Sequence, residues 1–304
     1  MNETNTGVFT APNAREYLER EPGMKVQKLA ERLWTVSDGE RRSIFMEGNT
    51  SVIAFDTFGT PGAARAYCQA IAHTIPDKPI STIIYSHDHL DHAGFADDLA
   101  PDAEIIADEM CARVIELRCA KGQLIPTRRL SGKRHEMDID GLRFTLLNPG
   151  PTHGTGNMSA WFADEKVLFS SDTILPNACY GLMPDYHIWN FVRFMRGFLD
   201  LDWNTFVPGR FEVTDRTWFA FGCDFIEAVQ EESQRAFAEF IPIWMLDAMQ
   251  DYVGGKLIER FGGLEGFEEQ IGLIAIRVVH HYLMGGWGLE DTPEPGLVLA
   301  NQVA

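Results

Sequence analysis

Apolar residues follow two patterns along this chain. Through roughly the first two thirds they come in short β-branched runs punctuated by Gly, Pro, Asn and Asp, the pattern of strands. In the last third they recur at helical spacing over long stretches. In order, residues 1–23 form a loose lead-in broken by Pro12, Pro22 and Gly23. Residues 26–36 read as a strand, followed by a turn at Ser37-Asp38-Gly39. Residues 44–46 and 51–56 read as two more strands around Gly48-Asn49, so these early strands form a meander. Pro61 opens a helix to about Thr74. Ser81-Thr82-Ile83-Ile84-Tyr85 reads as a buried strand, with a helix starting over 93–99, a strand at 104–107 and a helix over 109–121.

Strands follow at 142–147, 158–162 and 167–169, the last two paired around a turn at 163–166, and 204–210 reads as the last core strand. The stretch 176–198 is dense in aromatics and Met. Ile188, Phe191, Phe194, Met195 and Phe198 fall near helical spacing, which reads as core packing on one face. Tyr180, Tyr186, His187 and Trp189 are its candidates for a substrate-pocket wall. From 215 onward the pattern is helical: 219–240, then 243–261 after Pro242 with a weak point at Gly254-Gly255, then 267–284. His280 and His281 in the last helix point about 100° apart and read as core or surface residues.

Composition narrows the function. The 304 residues suffice for one large domain or two small ones, without repeats or low-complexity tracts. Lys and Arg number 26 against 44 Asp and Glu, a net charge of −18. An acidic chain is a poor match for nucleic acid or for an anionic membrane. The first residues lack the basic-then-apolar pattern of a signal peptide, and no run of about 18 apolar residues occurs to span a membrane. The five cysteines are odd in number and form no Cys-x-x-Cys pair. Free buried thiols in a cytoplasmic setting are the expectation. One segment, 113–135, is rich in basic residues; it reads as a solvated helix face and loop, or as a patch steering an anionic substrate.

The chemistry concentrates in Ser86-His87-Asp88-His89-Leu90-Asp91-His92-Ala93-Gly94, where three His and two Asp fall within six positions at the end of a strand. His87 and His89, two apart in extended chain, project to the same side. Neutral imidazoles ligate zinc well, and nearby carboxylates add oxygen ligands. Farther on, His153 stands alone in a Gly- and Pro-rich loop after a strand, and Asp172 also ends one.

The His-x-His-x-Asp-His run resembles the signature of the metallo-β-lactamase superfamily. The resemblance implies an α/β (α+β) fold: a four-layer αββα sandwich with metals in the cleft between two sheets, and here an appended C-terminal helical region. It covers roughly residues 25–215 and leaves the helical third unexplained. The domain reading is a lead-in over 1–23, the family core over 24–215 and a helical extension over 216–304 packed on the core. By the same resemblance, His87, His89 and His153 hold one zinc ion, Asp91 and His92 hold a second, and Asp172 bridges them. β-Lactamases proper carry Cys or Ser at the bridging position, so Asp172 points to the lactonase, glyoxalase II and oxygenase side.

One position departs from the family pattern. Where a Pro-Gly-His run would supply the sixth ligand, this chain has Pro208-Gly209-Arg210. A guanidinium has no lone pair for a metal. Either the second ion binds weakly, or Arg210 supplies its charge by pairing with Asp91 or Asp172, or Arg210 clamps an anionic substrate. The expected activity is hydrolysis of a small ester, lactone, thioester or related molecule by zinc-activated hydroxide, with Asp91 and Arg210 as catalytic groups. Two alternatives remain: a mononuclear iron oxygenase like the persulfide dioxygenases, using His87, His153 and Asp172, or a catalytically weak binding protein. A homodimer through the helical tail is the expected assembly.

Overall fold

The computed structural model describes residues 19–281 and 283; the expected lead-in as far as residue 18 and the end of the last helix lie outside the described residues. Among the described residues, seven strands form one sheet in chain order: β1 (Lys25–Ala30), β2 (Leu33–Ser37), β3 (Arg42–Glu47), β4 (Val52–Phe55), β5 (Ile80–Ile84), β6 (Glu104–Asp108) and β7 (Arg128–Leu130). A second sheet of six contains β8 (Arg134–Ile139), β9 (Leu142–Leu147), β10 (Ser159–Phe162), β11 (Val167–Ser170), β12 (Thr205–Pro208) and β13 (Thr214–Asp215), ordered β13-β12-β11-β10-β9-β8. Helices α1 (Pro61–Thr74), α2 (Leu90–Ala93), α3 (Ala96–Leu99) and α4 (Glu109–Arg118) belong to the first half. After β11 come α5 (Ile188–Phe198), α6 (Arg216–Ala238), α7 (Leu246–Met249), α8 (Gly255–Phe261) and α9 (Phe267–His281), with a π-helical turn at Gln250–Gly254 joining α7 to α8.

Side-chain alternation along the strands builds the layers. In β4, Ile53 and Phe55 face the second sheet, whereas Val52 and Ala54 pack under α1 with Ala63, Tyr67 and Ile71. In β11, Val167 and Phe169 face the first sheet and Leu168 faces the C-terminal helices. Phe55 sits edge-to-face with Phe144, Phe162 and Phe169, so four rings seal the space between the sheets. This is the four-layer αββα sandwich. Two devices start α1: the Thr60 hydroxyl accepts from the Ala63 amide at 3.1 Å, and Pro61 follows at the first helical position.

The C-terminal helices belong to the same packing. Phe219, Phe225 and Val229 of α6, Phe191 and Met195 of α5, and Ile271, Ile274 and Val278 of α9 form one buried cluster with Leu168 and Phe206 of the second sheet. Burying each such side chain contributes about 1.5–3 kcal/mol, so this layer cannot be peeled away without unfolding the sheet beneath it.

Several expectations need correction. The single strand expected over 26–36 is a hairpin, because Glu31 and Arg32 turn between β1 and β2. The helix expected over 93–99 is two short turns, α2 and α3, separated by Phe95 at a left-handed φ of 60°. The basic segment contains β7 and the start of β8, and much of its charge is paired: Arg118 with Asp88, Arg129 with Glu116, and Arg134 with Glu136. Such internal pairing leaves less charge to steer a ligand. Cys119 is exposed, whereas Cys111, Cys179 and Cys223 are buried, and all five cysteines are free thiols. No helix among the described residues is long and apolar enough to cross a membrane.

Candidate metal centre

Strand register assembles the site. β4 and β5 run parallel with Phe55 opposite Ile84, which sets Asp56 beside Ser86 just past both strand ends. Asp56 takes a left-handed φ of 50°, turning its carboxylate back toward the neighbouring chain. Its Oδ1 accepts the Ser86 amide and its Oδ2 accepts the Ser86 hydroxyl, both at 2.8 Å. That hydroxyl has one proton, and Asp56 takes it. Ser86 Oγ therefore accepts from His87 Nδ1, 2.8 Å away, so Nδ1 carries the imidazole proton and the lone pair lies on Nε2. His87 Nε2 is buried with no hydrogen-bond partner.

Two more imidazoles face it. His89 caps the N-terminus of α2, and His153 sits on the loop after β9, its ring 4.5 Å from that of Tyr186. Ring centroids lie 4.7 Å apart for His87 and His89, 4.7 Å for His87 and His153, and 4.4 Å for His89 and His153. One nitrogen from each falls within 4.8 Å of the others. Neither His153 nitrogen has a hydrogen-bond partner. Burial, with the neighbouring His153, His92 and His89 rings, holds His87 well below the ordinary imidazole value. Burial likewise lowers His153 to about 4, against the pull of Asp172. His87 and His153, buried and held neutral, together with His89 offer three nearby nitrogens that fit a divalent cation. Asp185 lies on the outer side, its Oδ2 3.5 Å from His89 Nε2 and 3.9 Å from His153 Nδ1.

The adjoining half is already filled. β12 pairs in parallel with β11, Pro208 opposite Ser170, and so delivers Gly209 and Arg210 beside Ser171 and Asp172. A Cβ at Gly209 would lie 2.2 Å from Ser171 Oγ and 2.5 Å from Asp172 Oδ1, so only glycine lets the chain pass this close. Arg210 donates from Nε to Asp172 Oδ2 at 2.9 Å, from Nη2 to Asp91 Oδ2 at 2.6 Å and from Nη1 to Glu40 Oε1 at 3.1 Å. Arg41 Nε adds a longer contact to Asp91 Oδ2 at 3.4 Å. His92 Nε2 lies 3.3 Å from Asp172 Oδ2, and its Nδ1 lies 3.6 Å from Asp56 Oδ2. Burial opposes a charge on His92, but Asp172, Asp56 and Asp91 outweigh it and raise the ring to about 10. Burial would raise Asp91 too, yet His92 and Arg210 bring it down to about 2. Asp172 is held well below the carboxylate range by His92, Arg210 and His153 against its own burial. His87, His92 and Asp172 also offer ligand atoms within 4.8 Å of one another. His92 and Asp172 are engaged with Arg210 and with each other, Asp172 keeping only Oδ1 without a partner, so a second cation here would have to compete with the guanidinium.

The comparisons agree with this architecture. The family model for the metallo-beta-lactamase superfamily matches residues 37–106, which include the His-rich run. The chain is 40% identical over 293 residues to the alpha subunit of the 2,4-dinitroanisole O-demethylase of Nocardioides sp. strain JS1661, covering 96% of this chain and 89% of the relative. It is 35% identical over 269 residues to the beta subunit of that enzyme, covering 88% and 84%. It belongs to the metallo-β-lactamase superfamily. A solved metallo-beta-lactamase from Pontibacter korlensis superposes with a TM-score of 0.60 at 14% identity, covering 67% of this chain and 99% of the neighbour, which supports the fold. The chain is thus an enzyme of the metallo-β-lactamase fold, and its His/Asp cluster fits a metal site of that superfamily.

Within this superfamily site, the structure brings His87, His89, His92, His153, Asp91, Asp172 and Arg210 together. The four residues named for a pocket wall are placed differently. Tyr180 is buried and donates its hydroxyl proton to the Thr173 carbonyl. Tyr186 donates to the Asp172 carbonyl and packs against His153. His187 caps α5, Nδ1 accepting from the Asn190 amide at 3.4 Å, and its ring lies 4.8 Å from that of His281. The Trp189 side chain lies outside the described residues. Sequence reasoning missed Asp56, Ser86, Asp185, Glu40 and Arg41. It also missed Arg277 of α9, which donates to the carbonyls of Met183 at 3.1 Å and Tyr186 at 2.9 Å and so ties the C-terminal layer to the loop carrying Asp185. Only the Asp56 signal was local, an acid ending a strand; the others depend on contacts between distant segments.

Proposed function

We propose that this chain is a metallohydrolase in which His87, His89 and His153 hold one divalent cation, zinc by the preference of three imidazoles with an open position. A zinc ion there lowers the pKa of bound water to about 7 and so supplies hydroxide at neutral pH. The observation that carries the reading is the pair of buried imidazoles, His87 and His153, with nitrogens lacking partners within reach of His89, and the His87 tautomer set by Ser86 and Asp56. In this reading Asp91, held ionised by His92 and Arg210, orients the attacking water by accepting its hydrogen bond.

The substrate class follows from the relatives. Both similar subunits are named for O-demethylation of 2,4-dinitroanisole, an electron-poor aryl methyl ether. Hydroxide can displace methoxide at such a ring: the aryl C–O bond to oxygen of water forms, the methoxy C–O bond to the ring breaks, and methanol and a phenol leave. No oxidant enters that balance. We place small activated aryl ethers and esters as the substrates. The alternative is an iron site built from His87, His153 and Asp172, which Asp172 would join through Oδ1 because Arg210 holds Oδ2. Because both demethylase subunits resemble this chain, assembly with like chains is part of the proposal, as is a cytoplasmic setting for its free thiols.

The test is zinc-loaded protein with 2,4-dinitroanisole and 4-nitrophenyl esters. Release of phenol with methanol and no oxygen uptake is expected, and His153→Ala should abolish it. Formaldehyde with stoichiometric oxygen consumption would replace this reading with the oxygenase.

A further inference from the structure

We infer that the enzyme works with a single metal ion per chain, the Arg210 guanidinium holding the place of a second. The inference rests on the proposed cation at His87, His89 and His153.

Three observations carry it. The groups that would surround a second ion are Asp91, His92 and Asp172, and the guanidinium reaches all of them: Asp91 at 2.6 Å, Asp172 at 2.9 Å and His92 Nε2 at 3.4 Å. Glu40 closes the fourth side at 3.1 Å. Arginine cannot be a ligand, because its nitrogens are all donors, and it takes up one oxygen of each carboxylate that a cation would need, leaving Asp172 Oδ1 without a partner. The backbone around it is also fixed. The Arg42 amide donates to the Gly209 carbonyl at 2.7 Å, the Phe211 amide donates to the Glu40 carbonyl at 2.9 Å, and Arg41 bridges Arg210 in antiparallel fashion. A guanidinium on so short a tether stays at the site. An ion entering would have to displace it from two carboxylates and leave it partly buried without them.

The arrangement has a chemical consequence. A second metal would offer an exchangeable position to substrate or water. Arg210 offers a fixed positive charge and donors only. It fixes the Asp91 carboxylate through Oδ2 and leaves substrate oxygens to the cation at the three imidazoles. Arg210 acts here as a positioning residue.

The experiment is a cobalt(II) titration of the full chain, stripped of metal by chelation, followed by visible absorption and by metal analysis after gel filtration. Saturation at one equivalent is expected for the native chain. Saturation at two would overturn the inference while leaving the three-imidazole site intact. No binding at all would overturn the proposed function and this inference with it. Arg210→His restores an imidazole, and saturation at two equivalents is expected. A folded Arg210→His variant that still stops at one equivalent would show that Arg210 is not what closes the position. Arg210→Lys keeps the charge and should stay at one; a second equivalent in this variant would count against the inference. The native titration decides the matter even if a variant fails to fold.

Discussion

The two halves of the site adjoin each other and end in opposite states. Around His87 and His153, beside His89, burial keeps the two imidazoles neutral and leaves their inward nitrogens without partners. A few ångströms away, Asp91, His92, Asp172 and Arg210 satisfy one another with two cations against two anions. The difference lies in the support. Ser86 and Asp56 fix His87 from behind so that its lone pair faces inward, whereas β12 delivers a guanidinium straight into the other half. One half leaves its nitrogens open, and the other is charge-balanced by Arg210 with only Asp172 Oδ1 left without a partner.

The sharpest way to break this contrast is Asp172→Asn. It removes an anion from the filled half and leaves His92 and Arg210 facing each other, so a stability loss of about 3–5 kcal/mol is expected in denaturant unfolding. A loss below about 1 kcal/mol would show that the network is not holding itself together.

The halves should also answer pH in opposite senses in chelated protein. His153, lowered to about 4 when folded, lies below the free value of about 6.5. The unfolded chain takes that proton first, so the stability His153 allows above about 6.5 is lost as pH falls toward 4. His92, raised to about 10, favours the folded chain fully below about 6.5, and that contribution disappears as pH rises through 10. Unfolding curves across this range should show a shallower acid limb in His153→Gln, the remainder coming from His87, and a shallower alkaline limb in His92→Gln.

A smaller effect probes the support of the open half alone. Ser86→Ala removes the group that fixes the His87 tautomer. A metal affinity about 10–100-fold weaker is expected by competition with a chelator, while the filled half keeps its contacts. Smallest of all is Arg277→Ala, which frees the Met183 and Tyr186 carbonyls on a half-exposed face. A stability loss of about 1–2 kcal/mol is expected, with metal affinity changing less than in Ser86→Ala.

How much of this was legible in sequence follows from how local each feature is. β4 and β5 announce themselves by composition, α1 by Thr60 and Pro61, and the site by three imidazoles within a short run, two of which, His87 and His89, belong to the open half. The β1–β2 hairpin was hidden because its turn, Glu31-Arg32, carries no Gly, Pro or Asn. β8 was hidden because a strand with its polar side chains toward solvent resembles a charged loop. Arg210 stood out as a departure, but its partners at Glu40 and Arg41 come from a segment about 170 residues earlier, and only the folded register brings them together. Asp185 and Arg277 were invisible for the same reason.

The central claim is that one cation sits among His87, His89 and His153 and none among Asp91, His92 and Asp172. Anomalous diffraction from crystals of the zinc-loaded chain tests it most directly. One peak about 2.0–2.1 Å from three imidazole nitrogens is expected, with Arg210 still bridging Asp91 and Asp172. A second peak between those carboxylates, with Arg210 swung away, would contradict it, and so would the absence of density among the three imidazoles.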